Sequence, residues 1–216
     1  MESFPLHIRL LLIVLIREVM NSFLYSFNQS NCLFVGVECT SYSDFLQGKC
    51  NCGYNGEKCS IMGISATPKP PPRRRYYLEV APERPYCLHQ YQIVLYLCLH
   101  TVNNISKSVE IPIHLTIYGE KHKIQRKIIL DIDLSISKQA NKFLMTSFQH
   151  VGRIESVNIS SFGNIADAST TLVKEVEVNY LHPKSAKISE SRFCRSSSAK
   201  EQKKVKCNTF LSNSCH

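Results

Sequence analysis

Long apolar runs are missing from this sequence, as is tryptophan, and the first absence excludes one class of protein. A membrane-spanning helix needs about 20 consecutive apolar residues. The longest apolar run, Leu10 to Ile16, has seven and is bounded by Arg9 and Arg17. The sequence therefore predicts no membrane-spanning helix. Its 44% hydrophobic and 20% charged residues are ordinary for a globular protein, so wholesale disorder is not expected either.

Glycine is scarce as well, and the spacing of its eight residues fits no common enzyme motif. Gly-x-Ser-x-Gly, the sharp turn that presents the serine nucleophile of α/β-hydrolases, does not occur. No glycine-rich loop is present that would bind the phosphates of a nucleotide. The eight histidines are scattered and form no recognisable set with serine and aspartate. The sequence therefore predicts no catalytic residue, no metal and no cofactor.

Acidic residues are outnumbered, with 17 Asp and Glu against 26 Lys and Arg, which gives a net charge of +9. Such a balance favours polyanionic partners, namely nucleic acid, sulfated sugars or acidic lipid head groups. Cysteine, in contrast, is abundant. Ten cysteines and three glycan acceptor sequons, which begin at Asn28, Asn104 and Asn158, indicate an oxidising, secretory route. We therefore expect an extracellular protein that meets sulfated sugars or acidic lipid head groups, and no nucleic acid.

The first residues do not resemble a signal peptide. Glu2 makes the start acidic, and no small-residue cleavage site follows Ile16. We therefore expect a truncated or alternative start, with Ile8 to Tyr25 forming an amphipathic helix.

The close spacing of several cysteines allows two interpretations. Thiolates at short spacing bind zinc, but the second pair of ligands that a zinc site needs is missing. Local disulfides are favoured, each closing a short loop and contributing about 2–4 kcal/mol by restricting the unfolded chain. The favoured pairs enclose ten, six and twelve residues and are Cys39–Cys50, Cys52–Cys59 and Cys194–Cys207. Sequence alone leaves the connectivity open, including that of Cys32, Cys87, Cys98 and Cys215.

Composition divides the chain into four segments. Residues 1–31 are predicted to be helical and residues 32–66 are cysteine-rich. Residues 67–86 contain four prolines in five positions, followed by three arginines, which predicts an extended basic hinge. Residues 87–216 alternate apolar and polar side chains, with turn residues between such stretches, which predicts about eight strands. The expected fold is mainly β: an antiparallel β-sandwich preceded by a helix and a disulfide-stapled segment.

Two charged features are candidates for binding. The hinge carries four cations that suit the bidentate recognition of sulfate or phosphate: Lys69, Arg73, Arg74 and Arg75. Four further lysines near the end of the chain form a second basic patch: Lys200, Lys203, Lys204 and Lys206. A solvated linker and a solvated hairpin explain these charges equally well. Asp131 and Asp133 share one face of a predicted strand and could offer oxygens to Ca²⁺, although paired acids on a solvated strand face are commoner.

The order of several short motifs resembles the C-terminal part of the pancreatic-lipase family, most closely its secreted phospholipase A1 branch. The motifs are the loop from Cys39 to Cys50, the stretch from Cys59 to Gly63, Tyr77-Leu78, the stretch from Arg84 to His89, and Phe193-Cys194 with Val205-Lys206-Cys207. Cys32, Cys87 and the short loop from Cys194 to Cys207 are most similar to the phosphatidylserine-specific members of that branch.

The resemblance implies that residues 32–66 end an α/β-hydrolase domain and that residues 87–216 form a sandwich of the PLAT type. It also implies that the hinge matches a segment that helps lipoprotein-type lipases to bind heparan sulfate. The family's catalytic serine and aspartate lie upstream of everything present here. The position of its catalytic histidine falls at Arg17, or at Leu15 in another alignment, and His7 is too far upstream. The resemblance therefore places no catalytic residue on this chain.

Two functional interpretations follow. The favoured one is the non-catalytic C-terminal portion of a secreted phospholipase A1, whose parent activity is hydrolysis of the sn-1 acyl ester of phospholipids. By this resemblance the expected partner of the chain is a phospholipid surface or heparan sulfate. The alternative is a stand-alone secreted interaction domain, or a decoy, without enzymatic activity.

Overall fold

The computed structural model describes residues 24–25, 32–63, 66, 74–99, 108–133, 135–136, 138–161, 171–183, 190–194 and 202–203. Most of the expected helix in residues 1–31, and residues 67–73 of the predicted hinge, lie outside this part. Within it, the chain is mainly β, with three antiparallel sheets and little helix. None of the helices in the described ranges is long and apolar enough to cross a bilayer.

The elements of the described part follow one another in a simple order. They are β1 (Val35–Glu38), α1 (Tyr42–Leu46), β2 (Cys59–Ile61), β3 (Tyr76–Tyr77), β4 (His89–Leu99), β5 (Ser108–Gly119), β6 (Lys123–Asp133), β7 (Lys138–Ser147), β8 (Ile154–Ser161), β9 (Thr171–Tyr180), β10 (Glu190–Cys194) and β11 (Gln202–Lys203).

Strands β4 to β11 form the β-sandwich that the sequence predicts. One four-stranded sheet has the order β10-β9-β4-β7 and the other β11-β8-β5-β6. Alternate residues of the long strands point inward to a shared core, as Ile111, Ile113, Leu115 and Ile117 do on β5. The alternation in the sequence therefore predicted both the strands and their buried faces, and the prediction of an antiparallel β-sandwich is confirmed.

Side chains bridge the two sheets where the edge strands β6 and β7 meet. An edge strand leaves backbone groups without partners. Arg126 Nη1 donates to the carbonyl of Leu144 at 2.8 Å, and Asn141 Nδ2 donates to the carbonyl of Asp131 at 2.9 Å. Gln139 Nε2 donates to the carbonyl of Asp133 at 3.0 Å. These bonds hold the two sheets together along one side of the sandwich.

Residues 32–63 together with β3 form a second body, which we call the cysteine-rich unit. Its sheet has the order β2-β1-β3. The expected disulfide bonds are present in it, joining Cys39 to Cys50 and Cys52 to Cys59. A third disulfide, between Cys32 and Cys87, ties the unit to the start of the sandwich across 55 residues, and the spacing of the cysteines gave no sign of it.

The end of the predicted hinge is a strand that pairs within the cysteine-rich unit. Tyr76 and Tyr77 pair with Glu38 and Val37 of β1, so that β3 completes the sheet of the cysteine-rich unit. The backbone N–H of Cys39 also donates to the carbonyl of Arg75 at 3.2 Å. The physical reason is that β1 has an edge with unpaired backbone groups, and the chain leaving the hinge supplies the partners.

The cysteine-rich unit covers the outer face of β4. The sequence predicted a strand buried on both faces from Tyr91 to Leu99. On the outer face Gln92 and Val94 are indeed buried, at 1% and 3% exposure, as is Gln90 just before them at 2%, whereas Tyr96 is only partly buried. Gln90 Nε2 donates to the carbonyl of Val35, and Gln92 Nε2 to that of Gly48, both at 2.7 Å. A buried amide without a partner costs about 1–3 kcal/mol, so these bonds fix how the two bodies meet.

We predict that Gly48→Ala destabilises the protein strongly. Gly48 has φ +65, a left-handed conformation that suits glycine, and a Cβ there would lie 2.7 Å from Cα of Phe143 on β7. Backbone strain and overlap together are expected to lower the free energy of unfolding by about 2–4 kcal/mol in urea titrations.

Gly152→Ala is the matched control. Gly152 has φ +80, but the nearest atom to its Cβ would be the flexible Lys121 Cγ at 3.1 Å. The control should cost only about 1 kcal/mol, from backbone strain. Equal losses in the two variants would show that Gly48 does not mark a tight contact between the two bodies.

Candidate functional site

An open groove of about 930 Å³ lies on the cysteine-rich unit beside the end of the basic hinge. Its charged lining comprises three anions, Glu38, Asp44 and Glu57, and four cations, Lys49, Lys58, Arg74 and Arg75. The two arginines reach it because β3 pairs with β1 directly after them. Lys49 and Lys58 reach it from within the two small disulfide loops.

Two ion pairs cross this groove and divide its cations into two groups. Arg74 Nη1 lies 2.9 Å from Glu38 Oε2, and Lys49 Nζ lies 3.0 Å from Asp44 Oδ1. Arg75 and Lys58 line the same groove with exposed side chains. The charge that the groove offers to a ligand therefore comes mainly from Arg75 and Lys58.

The structure describes only part of the predicted hinge site. Arg74 and Arg75 are described, whereas Lys69 and Arg73 lie outside the described residues. Arg74 is engaged with a carboxylate, which no feature of the sequence indicated, since Glu38 lies 36 residues away. Lys58 was missed for a similar reason: a lone lysine in a disulfide loop gives no signal until the fold brings it beside the hinge.

Asp44 organises one wall of the groove. Ser41 caps helix α1, where its Oγ accepts from the N–H of Asp44 at 3.0 Å. The carboxylate of Asp44 accepts from Thr40 Oγ1 and Ser41 Oγ, both at 2.7 Å, and from Lys49. These hydrogen bonds, that of Thr40 first, lower the pKa of Asp44 from 3.8 to about 2. Asp44 therefore remains charged at neutral pH and holds Lys49 in place.

We predict that Thr40→Ala raises the pKa of Asp44 toward its ordinary value of 3.8, because the hydrogen bond that contributes most is removed. Since the folded pKa is lowered, the stability from Asp44 is present above 3.8 and is lost as the pH falls toward 2. An NMR titration of the Asp44 carboxyl carbon measures the shift directly.

Ser43→Ala is the control for this titration, because Ser43 Oγ accepts from Gln47 and does not contact Asp44. A Thr40→Ala midpoint no higher than that of Ser43→Ala would contradict the assignment of the hydrogen bond.

The other sequence-predicted site residues lie elsewhere. Asn158 lies on β8 opposite Thr116 of β5 and is half-buried, whereas Asn28 and Asn104 lie outside the described residues. Cys194 ends β10, and its expected partner Cys207 is outside the described part. In the second basic patch, the backbone of Lys203 belongs to β11, and Lys200, Lys204 and Lys206 are outside.

The calcium interpretation of Asp131 and Asp133 finds no support in the geometry. Asp133 Oδ1 accepts from the N–H and the hydroxyl of Ser135 at 2.9 and 2.6 Å, which lowers the pKa of Asp133. The carboxylate therefore caps the turn after β6. Across the described ranges, no group of three His, Cys, Asp or Glu side chains is arranged to hold a metal ion.

A polar network on the outer face of the first sheet was not foreseen. Asn179 Nδ2 donates to Gln92 Oε1 at 3.1 Å and to Glu177 Oε1 at 2.6 Å. Glu177 also accepts from the hydroxyl of Tyr96 at 3.1 Å and lies 3.4 Å from a guanidinium nitrogen of Arg192. In the sequence these are ordinary polar strand residues. Only the register of β4, β9 and β10 brings them together.

Comparison with known proteins gives one informative match. No protein-family model matches the chain. Lipase member H of Oryctolagus cuniculus is 34% identical over 82 residues, which is 33% of this chain and 18% of that relative. The match supports a relation to the pancreatic-lipase family, and the chain corresponds to less than two thirds of the relative's length. With the disulfide bonds, it is compatible with a secreted protein.

Proposed function

We propose that this chain is the non-catalytic C-terminal portion of a secreted lipase of the phospholipase A1 type, and that it anchors the protein to heparan sulfate. The parent activity would be hydrolysis of the sn-1 acyl ester of phospholipids. The similarity to lipase member H supports the lipase relation. The observation that carries the anchoring role is the groove in which Arg75 and Lys58 lie beside the end of the hinge.

The chemistry of the groove suits a sulfated sugar better than a lipid. A guanidinium group binds a sulfate through two parallel hydrogen bonds, and an ammonium group adds a point charge. A lipid surface would require a larger apolar patch.

Heparin chromatography tests the anchoring role. Arg75→Ala with Lys58→Ala should elute at clearly lower salt than the wild type, because both cations line the groove. Lys123→Ala removes an exposed cation on β6, outside the groove, and should elute close to the wild type. If the drop in elution salt per charge removed were the same for the groove variant and the β6 variant, retention would depend only on the net charge of +9 and not on the groove.

Releasing Arg74 from its partner should strengthen binding. Glu38→Gln removes the carboxylate that holds Arg74 at 2.9 Å and leaves four cations in the groove facing two anions, so retention on heparin should rise. Glu110→Gln changes the net charge equally at an exposed position of β5, outside the groove, and is the control. A gain no larger than that of the control would contradict a binding site in the groove.

A further inference from the structure

Three histidines gather around one tyrosine at the end of the sandwich where β4 begins and β9 ends. We call this group the histidine cluster: His89, His150, His182 and Tyr180. The ring centroid of Tyr180 lies 5.9 Å from that of His89, 4.6 Å from that of His150 and 5.6 Å from that of His182. The rings of His89 and His150 are 5.2 Å apart. Nothing in the sequence groups these residues, which come from two strand ends and a loop.

The hydrogen bonds of the cluster suit neutral histidines. His89 Nδ1 lies 2.9 Å from the hydroxyl of Tyr180, and burial raises the pKa of Tyr180 to about 12. The hydroxyl therefore keeps its proton, and it can donate to a His89 Nδ1 that carries no hydrogen. His150 Nδ1 accepts from the N–H of Gly152 at 3.0 Å. A proton on His150 Nδ1 would point at that N–H, and two donors would then face each other.

The surroundings also oppose positive charge. His89 is 7% exposed, and its neighbours are Tyr180 and the titratable His150 and His182, while Tyr91 packs on Tyr180 at 5.2 Å. Lys121, from the turn between β5 and β6, acts on His150. Burial, followed by His150 and His182, lowers the pKa of His89 to about 4, and burial, followed by Lys121, lowers that of His150.

The histidine cluster lies directly behind the contact between the two bodies. His89 stands between Cys87, which is bonded to Cys32, and Gln90, which donates to Val35. His182 stands between Leu181, which is buried with the core of the cysteine-rich unit, and Pro183, whose backbone packs against Gly56. A displacement of either histidine is therefore passed on to residues that hold the cysteine-rich unit.

We propose that the histidine cluster is an acid-sensitive latch. Its protonation loosens the cysteine-rich unit from the outer face of the sandwich, while the disulfide from Cys32 to Cys87 keeps the two bodies tethered. The hydrophobic core between the two sheets does not include the latch histidines and stays closed. The inference does not depend on the proposed binding of heparan sulfate.

The direction of the pH dependence follows from the lowered pKa values of His89 and His150. A histidine whose folded pKa lies below its ordinary 6.5 contributes stability that is complete above that pH and is lost as the pH falls toward about 4. Between pH 7 and 5, the equilibrium constant for closing the latch should fall roughly tenfold. The lowered pKa values alone would give a larger fall, but the cluster is partly solvated and solvent reduces the effect.

Hydrogen–deuterium exchange of the full disulfide-bonded chain tests the latch at pH 7.5 and pH 5, with rates corrected for intrinsic exchange. We expect protection to fall about tenfold in peptides covering 33–48 of the cysteine-rich unit. Peptides covering 111–117 in the sandwich core should keep theirs. Unchanged protection in the contact peptides, or an equal loss in the core, would overturn the proposal.

Variants that cannot titrate make the test specific. His89→Gln and His150→Asn each keep an acceptor for the partner hydroxyl or N–H, so each should flatten the response to pH severalfold. His122→Gln, at an exposed histidine in the β5–β6 turn, should retain the wild-type response. If either cluster variant folds and shows the full wild-type response, the latch is assigned to the wrong residues.

Discussion

The burial of two amides on the outer face of β4 determines how this molecule is assembled. Gln90 and Gln92 lie among core strands, where an amide without partners would be costly, and their donors reach the carbonyls of Val35 and Gly48. The oxygen of Gln92 accepts from Asn179, so both ends of that amide are used. The hydrogen bonds of these amides therefore favour one docking position of the cysteine-rich unit. Leu144 and Leu181 add apolar contacts to it.

The position of the groove beside the hinge follows from this docking. Once β1 is held against the sandwich, its free edge takes up β3, and that pairing fixes Arg74 and Arg75 beside the two disulfide loops. The fold thereby turns a run of arginines, which in sequence looks like a solvated linker, into cations with defined neighbours. Arg74 is neutralised by Glu38, so the number of positive charges in the hinge overstates what the groove offers to a ligand.

Periodicity explains why so much of the fold could be predicted. The alternation in β5 needs only a polar and an apolar face, and the long apolar run in β4 needs only two buried faces, so local sequence contained both signals. The disulfides from Cys39 to Cys50 and from Cys52 to Cys59 close loops short enough to be proposed from spacing. The strand β3 was missed because two tyrosines after an arginine run have no periodicity of their own.

The site residues were harder to predict because their partners are distant in sequence. Arg74 and Glu38 are 36 residues apart, and Gln92 and Asn179 are 87 apart. The histidine cluster joins residues from β4, the β7–β8 loop and the end of β9. Each of these contacts depends on strand register, which one sequence leaves open. The relation to lipases likewise covers 82 residues and leaves the role of this part as a proposal.

Scanning calorimetry at pH 7.5 tests most directly whether the buried amides make the cysteine-rich unit and the sandwich one cooperative body. The account predicts a single transition whose calorimetric and van 't Hoff enthalpies agree. It also predicts that Gln92→Leu, which leaves the carbonyl of Gly48 without its donor at 2.7 Å, lowers that transition as a whole. Two separate transitions in the wild type, with Gln92→Leu affecting only one of them, would contradict the account.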